Sequence, residues 1–187
     1  RSLQDQDIPS EEYEIICIND GSPDNSREVV LKLISQFSNI VLIDQVNKGV
    51  SVARNSGIER AKGKYLLMVD PDDYLVPNIL KKRLDFLEKN KLDIGITGYI
   101  ILNKDLIEEY RYDSGYSQSV LSGIEFTNKI KLQKEDVRDP HRSWAIFFKK
   151  EFLDSNRLRY LTEVPYLEDG EFMARVNCLD ERLSFIN

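Results

Sequence analysis

The sequence predicts an α/β domain in which helices flank a mostly parallel central sheet. Three features of its 187 residues carry that expectation. Short β-branched runs alternate with stretches whose apolar residues fall at helical spacing, the pattern of strands joined by crossover helices. Clusters of Asn, Asp, Gly and Pro close the strand-like runs. A composition of 41% hydrophobic and 31% charged residues is that of a soluble globular domain, long enough to bury one core.

Residues 14–18 (Glu-Ile-Ile-Cys-Ile) form the first strand, ended by the turn cluster Asn19, Asp20, Gly21 and Ser22. Val30, Leu33, Ile34 and Phe37 then share one helical face. Residues 40–43 read as a second buried strand. A helix is expected over residues 50–62, with Val50, Ala53, Gly57 and Ala61 toward the sheet and Gly63 as its stop. Residues 65–69 form a third strand that runs into Asp70, Pro71, Asp72 and Asp73. Pro77 opens a helix through residue 89, with Leu80, Leu84 and Leu87 inside. Residues 92–102 are strand-like again, interrupted by Gly95 and Gly98. Beyond Asn103 the pattern loosens into a polar, tyrosine-rich stretch. Ser122 with Glu125 has capping-box spacing for a helix through residue 131. Residues 144–148 read as a strand and residues 168–179 as a helix.

The formal net charge of −6 and a pI near 5.0 argue against a nucleic-acid binder, which would be basic. A nucleotide pocket remains compatible, because one divalent cation reverses the local field. Cys17 and Cys178 are too few for a disulfide framework and too far apart for a metal site, so two buried, reduced thiols are expected. The chain opens on polar residues and shows no signal peptide, which a missing start would hide, and no apolar run approaches the ~20 residues of a membrane span.

Three carboxylate clusters stand at the ends of elements: Asp20, then Asp70 with Asp72, then Glu168 with Asp169. In open α/β sheets ligands bind at the carboxyl ends of strands, which places Asp20 and Asp70 on one rim. Two aspartates one residue apart on a stiff turn offer hard oxygen ligands to Mg²⁺ or Mn²⁺. The competing reading makes them turn and cap residues. For Arg54 the alternative to a binding role is a surface salt bridge with Glu59 or Asp44. For Glu168 and Asp169 it is an acidic first helical turn favoured by the helix dipole.

The order of motifs resembles the family 2 glycosyltransferases. Residues 14–22 (Glu-Ile-Ile-Cys-Ile-Asn-Asp-Gly-Ser), 47–57 (Asn-Lys-Gly-Val-Ser-Val-Ala-Arg-Asn-Ser-Gly) and 65–74 (Tyr-Leu-Leu-Met-Val-Asp-Pro-Asp-Asp-Tyr) carry the likeness with family spacing. Residues 144–153 and 166–172 are similar to its acceptor-side segments. The resemblance implies a GT-A fold, a nucleotide-sugar-binding part over residues 1–103 and an acceptor-side part over 104–187. It implies that Asp20 accepts the N3–H of a uracil-type base, which makes a UDP-sugar the expected donor. Lys48 and Gly49 match the loop entering the nucleotide pocket, and Arg54 a basic residue lining it. Asp70 matches the ribose-contacting aspartate, Asp72 the direct metal ligand and Asp73 a helix cap. Asp169 matches the general base that takes the acceptor's proton in an inverting transfer, with Glu168 and Glu171 next in line. Trp144 is either a sugar-stacking platform or a core tryptophan, and His141 is assigned no catalytic role.

One departure stands out. Family members begin with an apolar strand ending in a Pro-x-Tyr/Phe-Asn-type segment, followed by a helix, and residues 1–6 look like the end of that helix. The first strand is therefore expected to be missing, a truncation of about 20 to 30 residues. An open strand position leaves unpaired backbone, which a homodimer could repair. The expected protein transfers a sugar to a saccharide or lipid-linked hydroxyl, in the cytoplasm or peripherally at a membrane. The rivals are a sugar nucleotidyltransferase and an inactive domain that serves as an interaction module.

Overall fold

A computed structural model describes residues 1–105, 108–112, 119–132 and 143–186. Strand β1 (Ile15–Asp20) runs parallel to β2 (Ile40–Gln45), with helix α1 (Ser26–Ile34) between them in sequence. Helix α2 (Val50–Arg60) leads to β3 (Tyr65–Leu67), and α3 (Leu80–Asn90) to β4 (Ile94–Thr97). A hairpin of β5 (Tyr99–Leu102) and β6 (Glu108–Tyr112) follows, then α4 (Gly123–Leu132). The chain closes with β7 (Ile146–Lys149), α5 (Lys150–Ser155), α6 (Glu168–Leu179) and β8 (Leu183–Ile186).

The strands form two main sheets. One is the parallel pair β1–β2. The other runs β3–β7–β4–β8, in which β4 and β8 are parallel and β7 runs against both its neighbours. Among the described residues, β1 and β3 are each paired along one edge only. Helix α2 packs on β1, where Gly57 sits near the Ile18 side chain, and it contributes Ile58 to the core of the larger sheet. That core gathers Ile94, Ile96, Ile146, Phe148, Phe172, Met173, Val176 and Leu183. Burying each of these side chains stabilises the fold by about 1.5–3 kcal/mol. Gly95 is required by the packing, since a Cβ there would collide with Ile186 and Leu87.

Several local expectations shift. The strand-like run over residues 92–102 is two strands, broken at Gly98. The expected stripe of α2 holds at Gly57 and Ala61 but not at Val50, which is exposed, while Ser51 and Ile58 join the buried side. Helix α3 starts at Leu80 rather than at Pro77, because its cap is supplied from afar. Gln6 Oε1 accepts the Ile79 N–H and Asp7 Oδ1 accepts the Lys81 N–H, while Asn78 adopts a left-handed φ of 56°. Asp73 consequently caps no helix. Cys17 and Cys178 are both free, as expected, but neither is buried: Cys17 is half-buried in β1 and Cys178 is exposed on α6. The capping box at α4 forms as read, with Glu125 accepting from the Ser122 N–H and hydroxyl. His141 lies outside the described residues.

Candidate functional site

Asp20 ends β1, where the chain turns toward α1, and it faces the loop that leads from β2 into α2. Its carboxylate accepts three hydrogen bonds, from Gln45 Nε2 at 2.7 Å and from the backbone N–H groups of Lys48 at 3.0 Å and Gly49 at 2.8 Å. Gly49 has a φ of 89°, a conformation that a side chain would strain, and its carbonyl accepts the Ala53 N–H in the first turn of α2. The structure thus brings Asp20, Lys48 and Gly49 into one loop. Burial works against the charge on Asp20, but the hydrogen bonds from Gln45, Lys48 and Gly49 hold its carboxyl below the usual range. Oδ1 takes two of these bonds and Oδ2 one, and a carboxylate oxygen can accept two, so Oδ2 keeps acceptor capacity.

Arg54 is where the two ends of the sequence meet. Its Nη1 donates to Asp169 Oδ1 at 2.8 Å and to Glu168 Oε1 at 3.0 Å, and its Nη2 lies 3.6 Å from Asp70 Oδ1. The guanidinium also lies over the Tyr160 ring, 5.2 Å from its centroid. Neither Glu59 nor Asp44 pairs with it; Asp44 is taken by Arg27. Burial alone would lower the Arg54 pKa, but Tyr160, Asp169 and Asp70 outweigh it and keep the cation charged. The reach comes from position: Arg54 sits mid-helix on α2, between the loop after β3 and the first turn of α6.

Asp169 opens α6 beside Glu168. Burial pushes its carboxyl above the usual range, aided by Glu168 and Asp70 and opposed by the Ser143 hydroxyl and by Arg54. A raised carboxylate is a better proton acceptor at neutral pH than an ordinary one. Glu171, the fallback base, is committed to Arg175 one turn along the helix.

Asp70 to Asp73 form a turn in which the Asp73 N–H donates to the Asp70 carbonyl at 3.0 Å. Asp72 is exposed. Burial, then the charges of Asp70 and Asp72, push the Asp73 carboxyl up. Three carboxylates therefore share one guanidinium while Asp72 and Asp73 stand next to them, an excess of negative charge on the rim. Among the described residues no three His, Cys, Asp or Glu side chains group as a metal site. The residues fit a cation that takes most of its shell from phosphate oxygens and water, as Mg²⁺ does.

The sequence did not point to Ser143, Tyr160, Asn55 or Gln45. Asn55 and Arg54 lie inside one motif, which was a usable signal for Asn55; Tyr160 and Ser143 carry none. Trp144 packs edge-on against Tyr99, with centroids 5.0 Å apart, and its backbone bridges to Met68.

The sequence profile of Glycosyl transferase family 2 matches residues 1–154. The chain belongs to this family. It is 31% identical to the uncharacterized glycosyltransferase EpsJ of Bacillus subtilis over 179 residues, covering 92% of this chain and 52% of that protein. It is 34% identical to a poly(ribitol-phosphate) beta-glucosyltransferase of Bacillus spizizenii over 191 residues, covering 98% of this chain and 27% of that protein. The chain thus spans about half of one of these relatives and about a quarter of the other. Residues 1–349 of S. aureus TarS, solved with UDP, superpose with a TM-score of 0.80 at 20% identity, over 99% of this chain and 52% of that fragment. TarS solved with UDP-GlcNAc gives 0.79. The fold of this family 2 chain is GT-A.

Proposed function

We propose that this domain transfers a sugar, with inversion, from a UDP-sugar to the hydroxyl of a saccharide or lipid-linked acceptor. The observation that carries the reading is Arg54 gathering Asp70 and Asp169 into one site. Asp70 belongs to the donor-side turn and Asp169 to the acceptor-side helix, so leaving group and acceptor would meet there. Asp169 removes the acceptor's proton as the oxygen attacks the anomeric carbon from the side opposite the diphosphate. Asp20 receives the N3–H of the base, the Lys48–Gly49 loop borders the nucleotide, and Asp70 contacts the ribose. A Mn²⁺ or Mg²⁺ ion held by Asp72 would neutralise charge on the departing diphosphate. Two relatives in this family, from B. spizizenii and S. aureus, are named for transfer to poly(ribitol-phosphate), which adds a polyol-phosphate hydroxyl to the acceptor classes worth assaying. Among the described residues no helix is long and apolar enough to cross a membrane. We place the reaction on the cytoplasmic side, where nucleotide sugars are made.

The test is a thermal-shift titration with UDP, GDP, CDP and dTDP, with and without Mn²⁺. UDP at about 100 times its Kd is expected to stabilise the protein by roughly 2.7 kcal/mol, and only with the cation present. Equal shifts with and without Mn²⁺ would remove Asp72 from its role, and a preference for another base would remove Asp20 from its own.

A further inference from the structure

Ser143 is fully buried, and its hydroxyl donates to Asp169 Oδ1 at 2.8 Å. Arg54 Nη1 donates to that same oxygen, also at 2.8 Å. Arg54 in turn has a fixed seat. The Asn55 side chain clamps Tyr160 with two hydrogen bonds, Nδ2 donating to the Tyr160 carbonyl and Oδ1 accepting the Tyr160 N–H, each at 2.8 Å. The Tyr160 ring stacks on Phe172 of α6 at 4.2 Å between centroids and 11° between planes, and it carries the Arg54 guanidinium. Adjacent residues of α2 thus grip the start of α6 twice, Arg54 through charge and Asn55 through Tyr160.

We propose that Ser143 and Asn55 are positioning residues that load both donors onto Oδ1 of Asp169 and leave Oδ2 to take the acceptor's proton. The inference rests on Asp169 being the base. In the step it serves, the acceptor O–H bond breaks and its proton passes to Oδ2. The freed electron pair forms the new bond to the anomeric carbon, and the old bond to the diphosphate breaks with its electrons leaving on the diphosphate. A carboxylate gripped at one oxygen cannot rotate, so the second oxygen keeps one direction toward its partner, a pre-organisation of the kind that shortens the path to reaction. The charged or titratable groups facing Asp169 are Arg54 from α2, Asp70 from the turn after β3, Tyr160 from the segment before α6, and Glu168 on its own helix. Ser143 adds a neutral donor to this set, so it tunes the carboxylate without altering net charge.

The readout is carboxyl ¹³C NMR of protein labelled at the aspartate side-chain carbons, with the Asp169 signal identified by its loss in Asp169→Asn. Ser143→Ala is expected to raise the Asp169 titration midpoint by about one pH unit, since a donor to the ionised form is lost. Ser143→Thr, which keeps the hydroxyl, is expected to restore it. Asn55→Ala is expected to raise it too, by loosening the Tyr160 seat of Arg54. An unmoved midpoint in Ser143→Ala overturns the proposal, and so does a Thr variant as shifted as the Ala variant, because packing rather than the hydrogen bond would then be responsible. The titration is independent of turnover: loss of the base reading would show as full activity in Asp169→Asn, with the midpoints unchanged.

Discussion

Strands β1 and β8 are both short apolar runs, yet they end up in different surroundings. Every residue of β8 is buried, whereas every residue of β1 is only half-buried. The helices repeat the contrast: α6 buries Phe172, Met173 and Val176, while α1 buries nothing fully. The β3–β7–β4–β8 sheet with α6 is therefore where the chain gains most of its stability. The β1–β2 layer is where it leaves polar strand ends on the rim. Arg54 joins the two, with its guanidinium on the buried side and its helix against the exposed one.

The largest expected effect lies in the buried region. Phe172→Ala removes a ring with no exposed surface that stacks on Tyr160 and meets Phe148 edge-on, and it is expected to cost about 3–5 kcal/mol in chemical denaturation. Ile18→Ala in half-buried β1 is expected to cost well under that. Equal losses would erase the contrast.

A pH effect comes next, also from the buried region. Asp180, at the end of α6, is 3% exposed, and burial pushes its carboxyl up to about 7, with Asp93 and Glu181 adding to the shift and the Arg182 N–H opposing it. The folded protein then holds a proton that the unfolded chain releases near pH 4. The Asp180 contribution to stability is accordingly greatest at acid pH and is lost as the pH rises from about 4 through about 7. Asp180→Asn should flatten that slope in thermal melts between pH 5 and 8; an unchanged slope would assign it to other groups.

The smallest effect on stability is expected on the rim. Asp20→Asn replaces the acceptor of the Lys48 and Gly49 N–H groups at a half-buried strand end. UDP binding should weaken by about 1.5–3 kcal/mol, measured by calorimetry, with little change in Tm. A variant that simply unfolds would make Asp20 a structural residue.

How much was legible in the sequence follows the same division. The first two strands, α2 and the aspartate turns were readable because the rim announces itself locally: a β-branched run, then polar turn residues at fixed spacing. Strand β8 was not foreseen, since four residues buried on both faces show no alternation and owe their place to β4, nearly ninety positions earlier. The start of α3 was misplaced because Gln6 and Asp7 provide its cap across more than seventy residues. Arg54 was expected to line the pocket, but its partners lie 114 and 115 positions away, beyond any local pattern. Ser143 and Tyr160 belong to the same class, since their role exists only once α2 and α6 are together.

The most direct measurement compares Asp169→Asn with the unaltered enzyme in sugar transfer and in UDP–Mn²⁺ binding. The substitution keeps the side chain's shape, and its Oδ1 can still accept from Ser143 and Arg54, so nucleotide and metal affinity should persist. Transfer should fall by about 10²–10⁴-fold, the contribution of a positioned general base. Near-normal turnover in Asp169→Asn would contradict the assignment and move the base elsewhere, with Glu168, the other carboxylate on Arg54, the next to test.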